Sequence, residues 1–544
     1  MEYIRTHGLS YTLLHGTEKL SERFLRTYDR KWKTIRPDAS ELAFQCSHPL
    51  HAGCISILIP VYQTDPGFLE ALLESIQNQT YPDFEVILYV TGNRTETDYV
   101  LRRYADSDPR FRVYRGDENL GISGNTNRAA EKASGDWIAL CDHDDLLSPD
   151  CLYAVARCLI SEKSDVVYTD EDKITENGRV HTDAHCKPDF SPLLLLSSNY
   201  VCHFLCMRRE LWDAVGGERS EYDGSQDHDL VLRLWEHTDR ISHIPLIAYH
   251  WRTVQSSMSH RNLEQCIRLS CRAVQDHFNR TEPGARAEIM GDVLRLRFPV
   301  PEQTRVDLFY LTQENTPIPE VVRHQEGAHF RLIPLNIADN RFQVMNKAAA
   351  QSEADVLWFL DASVLPLSRE MGKEMLMLAL RPGTGAVTGS LMSPSGKNLH
   401  AGFALYGPGF AMPRQYGVLK EAGGWHILLR QTHEVSAVCA LCFMISRDRF
   451  IPYRCLCQGG LENVDLCLRL EQRGLRQAYT PYAEARVRPH PFLLHERNEE
   501  DARTMSEVWG QVRDSSWSRS LHPGSPRVHL KIPHTEGDRY EESE

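Results

Sequence analysis

Positive charge is what this sequence is short of. Lys and Arg number 61 against 74 Asp and Glu, a formal net charge of −13, which excludes a broad basic surface for nucleic acid. A local basic patch facing a phosphate or an anionic lipid stays compatible with that balance. Long apolar runs are missing as well. No stretch approaches the ~18 apolar residues of a membrane span, and the N-terminus lacks the apolar core of an export signal, so neither insertion nor secretion is expected. Cysteine is plentiful at 15, but it lacks a pattern, because the residues are scattered, odd in number and often set in apolar runs. Cys439 and Cys442 form a CxxC with no second pair at zinc spacing, which favours core packing over a metal site. Buried thiols in a reducing cytosol are therefore expected. Peripheral contact with the inner face of the plasma membrane is left open.

The hydrophobic share of 42% and charged share of 25% are ordinary for a globular chain and leave no room for extensive disorder. Its 544 residues exceed one core and call for two or three domains. Residues 1–52 mix aromatic and basic positions and read as one or two helices ahead of the first domain. A regular rhythm then begins. Ile55-Ser56-Ile57-Leu58-Ile59-Pro60-Val61-Tyr62 is a β-rich run, followed by a helical stripe of Phe68, Leu69, Leu72, Leu73 and Ile76, and a second strand over 84–90. A third strand is expected over 111–115, and a helix opens at 120–127 with small residues that leave backbone N–H groups free for an anion. Strand and helix alternating in this way predict a doubly wound, mostly parallel α/β sheet with its ligand site beyond the strands' carboxyl ends.

The next strand ends abruptly. Trp137-Ile138-Ala139-Leu140-Cys141 runs into Asp142-His143-Asp144-Asp145, and acids two apart after a buried strand are hard ligands suited to Mg²⁺ or Mn²⁺ beside a diphosphate. A solvated acidic turn has the same composition. Further on, a helix is expected over 149–160 and a strand over 165–169 that again ends in acids, Asp170-Glu171-Asp172. Gly224-Ser225-Gln226-Asp227-His228-Asp229 leads into an amphipathic helix, where Asp227 is either a capping carboxylate or a functional one. A strand over 243–252 ends in His250-Trp251-Arg252.

Taken together, ISILIPVY at 55–62, ENLGISGNTN at 118–127, DHDD at 142–145, YTDEDK at 168–173, KPDF at 187–190, GSQDHDL at 224–230 and HIPLIAYHWR at 243–252 resemble a family 2 glycosyltransferase of the GT-A (nucleotide-diphospho-sugar transferase, Rossmann-like) fold. The resemblance covers residues 54 to about 258 and is of the bacterial surface-polysaccharide type, including O-antigen and rhamnosyltransferase-like enzymes. It implies inverting transfer from a nucleotide-sugar donor to a glycan, lipid-linked or growing, with Mn²⁺ or Mg²⁺ as cofactor. By resemblance Asp144 contacts the metal, Asp142 contacts metal or ribose, and His250 completes that site. Pro60, Tyr62, Asn119, Gly121, Asn125 and Arg252 hold the nucleotide and its phosphates. Asp227 is the base for the acceptor hydroxyl, with Asp229 and Trp251 on the acceptor side. One departure stands out: Tyr89-Val90-Thr91-Gly92-Asn93 occupies the place of the paired acids that commonly follow the second strand, which leaves the nucleotide base open.

The pattern then repeats without its chemistry. Asp355-Val356-Leu357-Trp358-Phe359-Leu360-Asp361-Ala362-Ser363 echoes the acid-ended strand with one carboxylate, and Gly460-Leu461-Glu462-Asn463-Val464-Asp465 echoes the Asp227 helix with an amide that cannot act as a base. Arg486-Val487-Arg488 replaces the histidine-bearing strand end. The nearness of 298–301 to 306–310 suggests that the helix between the first two strands of the copy is gone. The expected layout is an N-terminal helical extension (1–52), a catalytic GT-A domain (53–285), a degenerate GT-A-like domain (286–500) and a partly disordered tail (501–544). A bifunctional polymerase and a noncatalytic glycan or nucleotide-sugar scaffold are the alternatives. A homodimer and peripheral contact with membrane assembly machinery stay open.

Overall fold

The computed structural model describes residues 22–92, 95–254, 262–313, 316–337, 340–405, 411–457, 461–488, 490, 492–493, 499–510, 512–518, 520–522 and 529–530. The acidic tail over 535–544, together with Asn93 and Gly460, lies outside them. The chain divides into two compact units, one holding residues up to Phe190 and Asn199–His277, the other Ser191–Ser198 and Phe278–His529. Helices Glu22–Ile35 and Ala39–Ser47 precede the first sheet, the second capped by Asp38.

In the first unit β1 (Ile55–Tyr62), β2 (Phe84–Thr91), β3 (Phe111–Arg115), β4 (Trp137–Leu140), β5 (Leu146–Leu147), β6 (Val166–Ile174), β7 (His181–His185), β8 (Leu205–Arg208) and β9 (Ile241–Arg252) share one sheet. Its order is β3-β2-β1-β4-β8-β6-β9-β5, with β7 paired to β6. The β1–β2, β1–β4 and β2–β3 pairs are parallel, while β8 runs antiparallel to β4 and β6. Near-continuous apolar strands suit a sheet covered on both faces. The expected helical stripe forms Pro66–Gln77, started by Asp65, which accepts from the N–H groups of Gly67 and Phe68. That helix buries Leu69, Leu72, Leu73 and Ile76 in the core with Ile57, Ile59 and Leu88.

The expected strand end at residue 169 is corrected, because β6 runs through all three acids to Ile174 and buries them. Partners make this possible, since a buried charge without one is costly. Asp170 accepts from the Lys187 N–H (2.7 Å) and meets His243 Nε2 (2.7 Å). Glu171 meets Lys187 Nζ (3.2 Å) and His185 Nδ1 (3.3 Å). Asp172 meets the Tyr28 hydroxyl (2.6 Å), His181 Nδ1 (2.9 Å) and His250 Nδ1 (2.6 Å).

The second unit opens with the hairpin β10 (Arg286–Met290) and β11 (Val293–Arg297). It continues with β12 (Arg305–Thr312), β13 (His329–Asn336), β14 (Val356–Asp361), β15 (Val364–Pro366), β16 (Thr384–Met392), β17 (Asn398–His400), a hairpin of β18 (Phe403–Leu405) and β19 (Ala411–Pro413), β20 (His433–Val435), β21 (Cys442–Ser446) and β22 (Arg476–Val487). The large sheet has the order β13-β12-β14-β21-β16-β22-β15, with β17 on β16 and β20 on β22. Substituting β12, β13, β14, β15, β16, β17, β21 and β22 for β1, β2, β4, β5, β6, β7, β8 and β9 reproduces the first sheet from β2 to β5. The strand senses agree too: β12–β13, β12–β14 and β16–β22 are parallel, and β14–β21, β16–β21 and β15–β22 antiparallel.

One expectation about the copy is corrected. Residues 306–310 lie in β12, the counterpart of the first strand and not the second, and 298–301 lie outside any strand. The intervening helix is shortened to four residues, Glu320–Arg323, where the first unit has twelve. The helix Pro192–Ser197 belongs to this second unit, where Glu434 on β20 accepts from the Leu193 N–H (3.0 Å) and from the Ser191 hydroxyl. None of the 15 cysteines is in a disulfide, and Cys439 and Cys442 are buried. Burial pushes both thiols up to about 12, as inert core residues require.

Candidate active site

The acid loop hangs from β9. Asp145 is fully buried, accepting from the Tyr249 hydroxyl (2.5 Å) and the Arg252 N–H (2.7 Å). Burial, reinforced by Asp144 and Asp142, pushes its carboxyl well up. The Tyr249 hydroxyl in turn accepts from the Asp142 N–H at 3.2 Å. Anchoring Asp145 inward leaves the other two acids outward, with the Asp142 side chain 35% and the Asp144 side chain 27% exposed. Burial also raises the Asp144 carboxyl, opposed by His143 and reinforced by Asp142. Two neighbouring oxygen ligands with excess negative charge fit a hard divalent cation.

The opposite wall comes from the helix Gln226–Trp235. Asp227 sits in its first turn, and its Oδ2 accepts from Asn199 Nδ2 at 2.8 Å. Asp142 and Asp227 line the same small cavity, about 20 Å³, together with Pro60, Thr126, Cys202, His203 and Glu218. That volume holds about one water. His203 stacks on Tyr249 with centroids 4.7 Å apart, and its Nε2 is 3.7 Å from Asp142 Oδ2. Its Nδ1 is buried without a hydrogen-bond partner. Glu218 is 6% exposed. Burial, then the charges of Asp227, Asp142 and Asp223, push its carboxyl up to about 8.

Several residues singled out in the sequence stand elsewhere. Side chains alternate along a strand, so Tyr249 faces the acid loop while His250 faces away, its ring against Trp32 (4.8 Å) and His181 (4.8 Å) and its Nδ1 on Asp172. Asp172, His181 and His250 hold ligand atoms within 4.8 Å of one another, and each histidine's Nδ1 meets Asp172. Arg252 is 3% exposed, donates from Nε to the Asp144 carbonyl (2.5 Å) and from Nη1 to the Glu176 carbonyl (2.8 Å), and lies over the Phe68 ring. It thus braces the acid loop from behind. Asp229 is buried between Arg219 and Arg233. Trp251 packs at the margin of the core, with Lys173 Nζ 5.9 Å from its ring centre.

Of the residues expected to hold a nucleotide, Tyr62 is exposed at the end of β1. Asn125 is buried and spends its amide on Thr91 Oγ1 (3.2 Å) and Asn119 Oδ1 (2.8 Å), which stiffens the loop before the helix Gly121–Ala130. Gly121 has φ +80°, and a Cβ there would lie 2.4 Å from Asp223 Oδ2, so only glycine fits.

His203 and Glu218 belong to no motif in the linear sequence. A histidine stacked on a tyrosine from another strand leaves no periodic trace. For Glu218 the available signal was an acid directly after Gly216-Gly217 and shortly before the Asp227 helix.

A sheet with its parallel half wound on both sides, and acids converging beyond the strand ends, is the architecture of a nucleotide-diphospho-sugar transferase of GT-A type. Residues 56–213 match the model named Glycosyl transferase family 2. The uncharacterized protein y4gI of Sinorhizobium fredii is 31% identical over 510 residues, 85% of this chain and 56% of that protein. The O-antigen biosynthesis protein RfbC of Myxococcus xanthus is 30% identical over 490 residues, 80% of this chain and 37% of that protein. The chain thus spans between about a third and a little over half of these relatives. A solved structure of S. aureus TarS residues 1-349 with UDP-GlcNAc aligns at 18% identity with a TM-score of 0.36, covering 42% of this chain and 67% of that one.

Proposed function

We propose that this chain is a metal-dependent inverting glycosyltransferase that moves a sugar from a nucleoside-diphosphate donor to a growing surface polysaccharide, with a lipid-linked glycan as acceptor. The observation that carries this reading is the convergence of Asp142 and Asp227 on one cavity, from elements far apart in sequence. The name of the M. xanthus relative, an O-antigen biosynthesis protein, supports the choice of substrate class.

Asp227, oriented by Asn199, takes the proton from the acceptor hydroxyl as its oxygen attacks the sugar's anomeric carbon. The bond to the diphosphate breaks in the same displacement, and no covalent sugar–enzyme intermediate forms. Asp142 and Asp144 would hold Mn²⁺ or Mg²⁺, which when bound supplies positive charge beside the departing diphosphate. Pro60 and the segment Asn119–Asn125, which opens the helix Gly121–Ala130, shape the nucleotide side. No described helix is long and apolar enough to cross a membrane, and the reading places the enzyme at the cytoplasmic face through peripheral contact. The second unit serves acceptor binding or dimer formation.

A thermal-shift screen of UDP-, GDP- and dTDP-sugars with and without Mn²⁺ tests this, because ligand binding raises apparent stability. One donor should stabilise wild type in Mn²⁺, and Asp144→Asn should abolish that gain. Stabilisation indifferent to both metal and Asp144 would refute the assignment.

A further inference from the structure

Glu218 has a fixed backbone and a carboxyl that hydrogen-bonds Thr126 while its Oε2 stays unpaired. Its N–H donates to Asn127 Oδ1 (3.0 Å) and its carbonyl accepts from Asn127 Nδ2 (2.8 Å). Gly217 before it has φ +69°, and a Cβ there would lie 2.4 Å from Asn127 Oδ1, so the clamp is built around a glycine. The carboxyl this clamp presents lines the cavity shared by Asp142 and Asp227, and its Oε2 is buried with no hydrogen-bond partner. Buried polar atoms are nearly always paired, and an unpaired one costs stability. A position that keeps such a cost beside two functional acids points to a partner that arrives with the substrate.

The chemistry of the cavity selects that partner. Asp142 and Asp227 line the same cavity as Glu218, and so acidic a surrounding repels any phosphate or carboxylate not neutralised by a cation and suits a hydroxyl. Glu218 lines one cavity with Asp227, the acid that the transfer reading assigns to the acceptor hydroxyl. We propose that Glu218 is a substrate-contacting residue whose Oε2 hydrogen-bonds a hydroxyl of the terminal acceptor sugar, next to the hydroxyl that Asp227 deprotonates. This rests on the transfer reading given above. It adds that the accepting sugar is recognised by two neighbouring hydroxyls, one held and one reacting. Held by the first, the ring presents the second to Asp227 in a single orientation.

The test compares wild type, Glu218→Gln and Glu218→Leu as full-length proteins in Mn²⁺. UDP-glucose, UDP-N-acetylglucosamine, GDP-mannose and dTDP-rhamnose serve as donors, and the methyl glycosides of glucose, galactose, mannose and rhamnose as acceptors. Glu218→Leu should melt about 2–4 °C higher, having lost an unpaired buried carboxyl, and should raise the acceptor KM about tenfold or more. Its donor hydrolysis should fall less than its transfer does, since water needs no second hydroxyl. Glu218→Gln, which still hydrogen-bonds, should recover part of the acceptor KM. An unchanged acceptor KM in Glu218→Leu overturns the role of Glu218 and leaves the transfer reading standing. A lower melting point with hydrolysis and transfer lost together would make Glu218 structural, again overturning it. Hydrolysis by wild type with no transfer to any glycoside also overturns it, because a contact confined to the terminal sugar must register with a glycoside. Wild type that neither hydrolyses nor transfers removes the transfer reading, and the role of Glu218 falls with it.

Discussion

β4 and β14 occupy the same place in two sheets of the same order, and each leads to an aspartate whose surroundings differ completely. Asp142 is a third exposed and lines a cavity. Asp361 is buried, 2.7 Å from Arg341 Nη1, and accepts from the Ser363 N–H at 2.8 Å. The helices that follow diverge in the same way. Asp227 accepts from Asn199 and faces the cavity, whereas Asn463 is fully buried, its Oδ1 accepting from the Tyr453 hydroxyl (2.6 Å) and its Nδ2 donating to the Val438 carbonyl (3.0 Å). One scaffold therefore supports two uses of the same positions. Where a carboxylate faces a cavity it can meet a ligand, and where it or its amide replacement is paired within the protein it holds the core.

The largest stability effect should break this comparison in the second unit. Asp361→Ala leaves the Arg341 guanidinium buried without its partner, and should cost about 3–5 kcal/mol in denaturant unfolding while transfer per folded molecule is kept. A near-neutral result would mean that Asp361 is as free as Asp142.

A smaller effect should separate the units by pH. Burial by itself would raise Glu171 and Asp172. The Lys187 charge and His185 bring Glu171 well below its usual range, and His250 with His181 lower Asp172. Carboxyls depressed in the folded state add stability above their unfolded values near 4, and that stability is lost as pH falls through the folded values. β16, the counterpart of β6, reads Thr-Gly-Ala-Val-Thr-Gly-Ser-Leu-Met and has nothing to titrate. Between about pH 5 and pH 3, amide exchange corrected for intrinsic rate should accelerate more in β6 than in β16. Equal acceleration would show that the acid strand contributes no pH-linked stability.

Much of this was legible in the residues. The 3.6-residue stripe from Leu69 to Ile76 and the apolar run of β1 state their structures directly, since periodicity reports which face is buried. The acid loop was legible because three carboxylates cannot continue an apolar strand unless each finds a partner. That same rule misled at Asp170–Asp172, where partners from the Glu22–Ile35 helix, β7, Lys187 and β9 let the strand continue. Tertiary pairing of this kind is invisible in a linear pattern. His250 shows another limit: a strand end identifies a position, but the alternation of side chains decides which face it serves, and one residue's shift sends the imidazole to Asp172. Glu218 was beyond reach because a free valence inside a cavity is a property of its neighbours.

The central claim is that only the first unit performs transfer, and Asp227 and Asn463 test it most directly. Transfer rates would be measured with the donor from the binding screen, in Mn²⁺, for Asp227→Asn and Asn463→Asp made separately. Asp227→Asn should lower turnover by about 10²–10⁴-fold with folding unchanged. Asn463→Asp should leave turnover as it is and lower stability, since a carboxylate there must be buried. Turnover that survives in Asp227→Asn, or that rises in Asn463→Asp, would contradict the account.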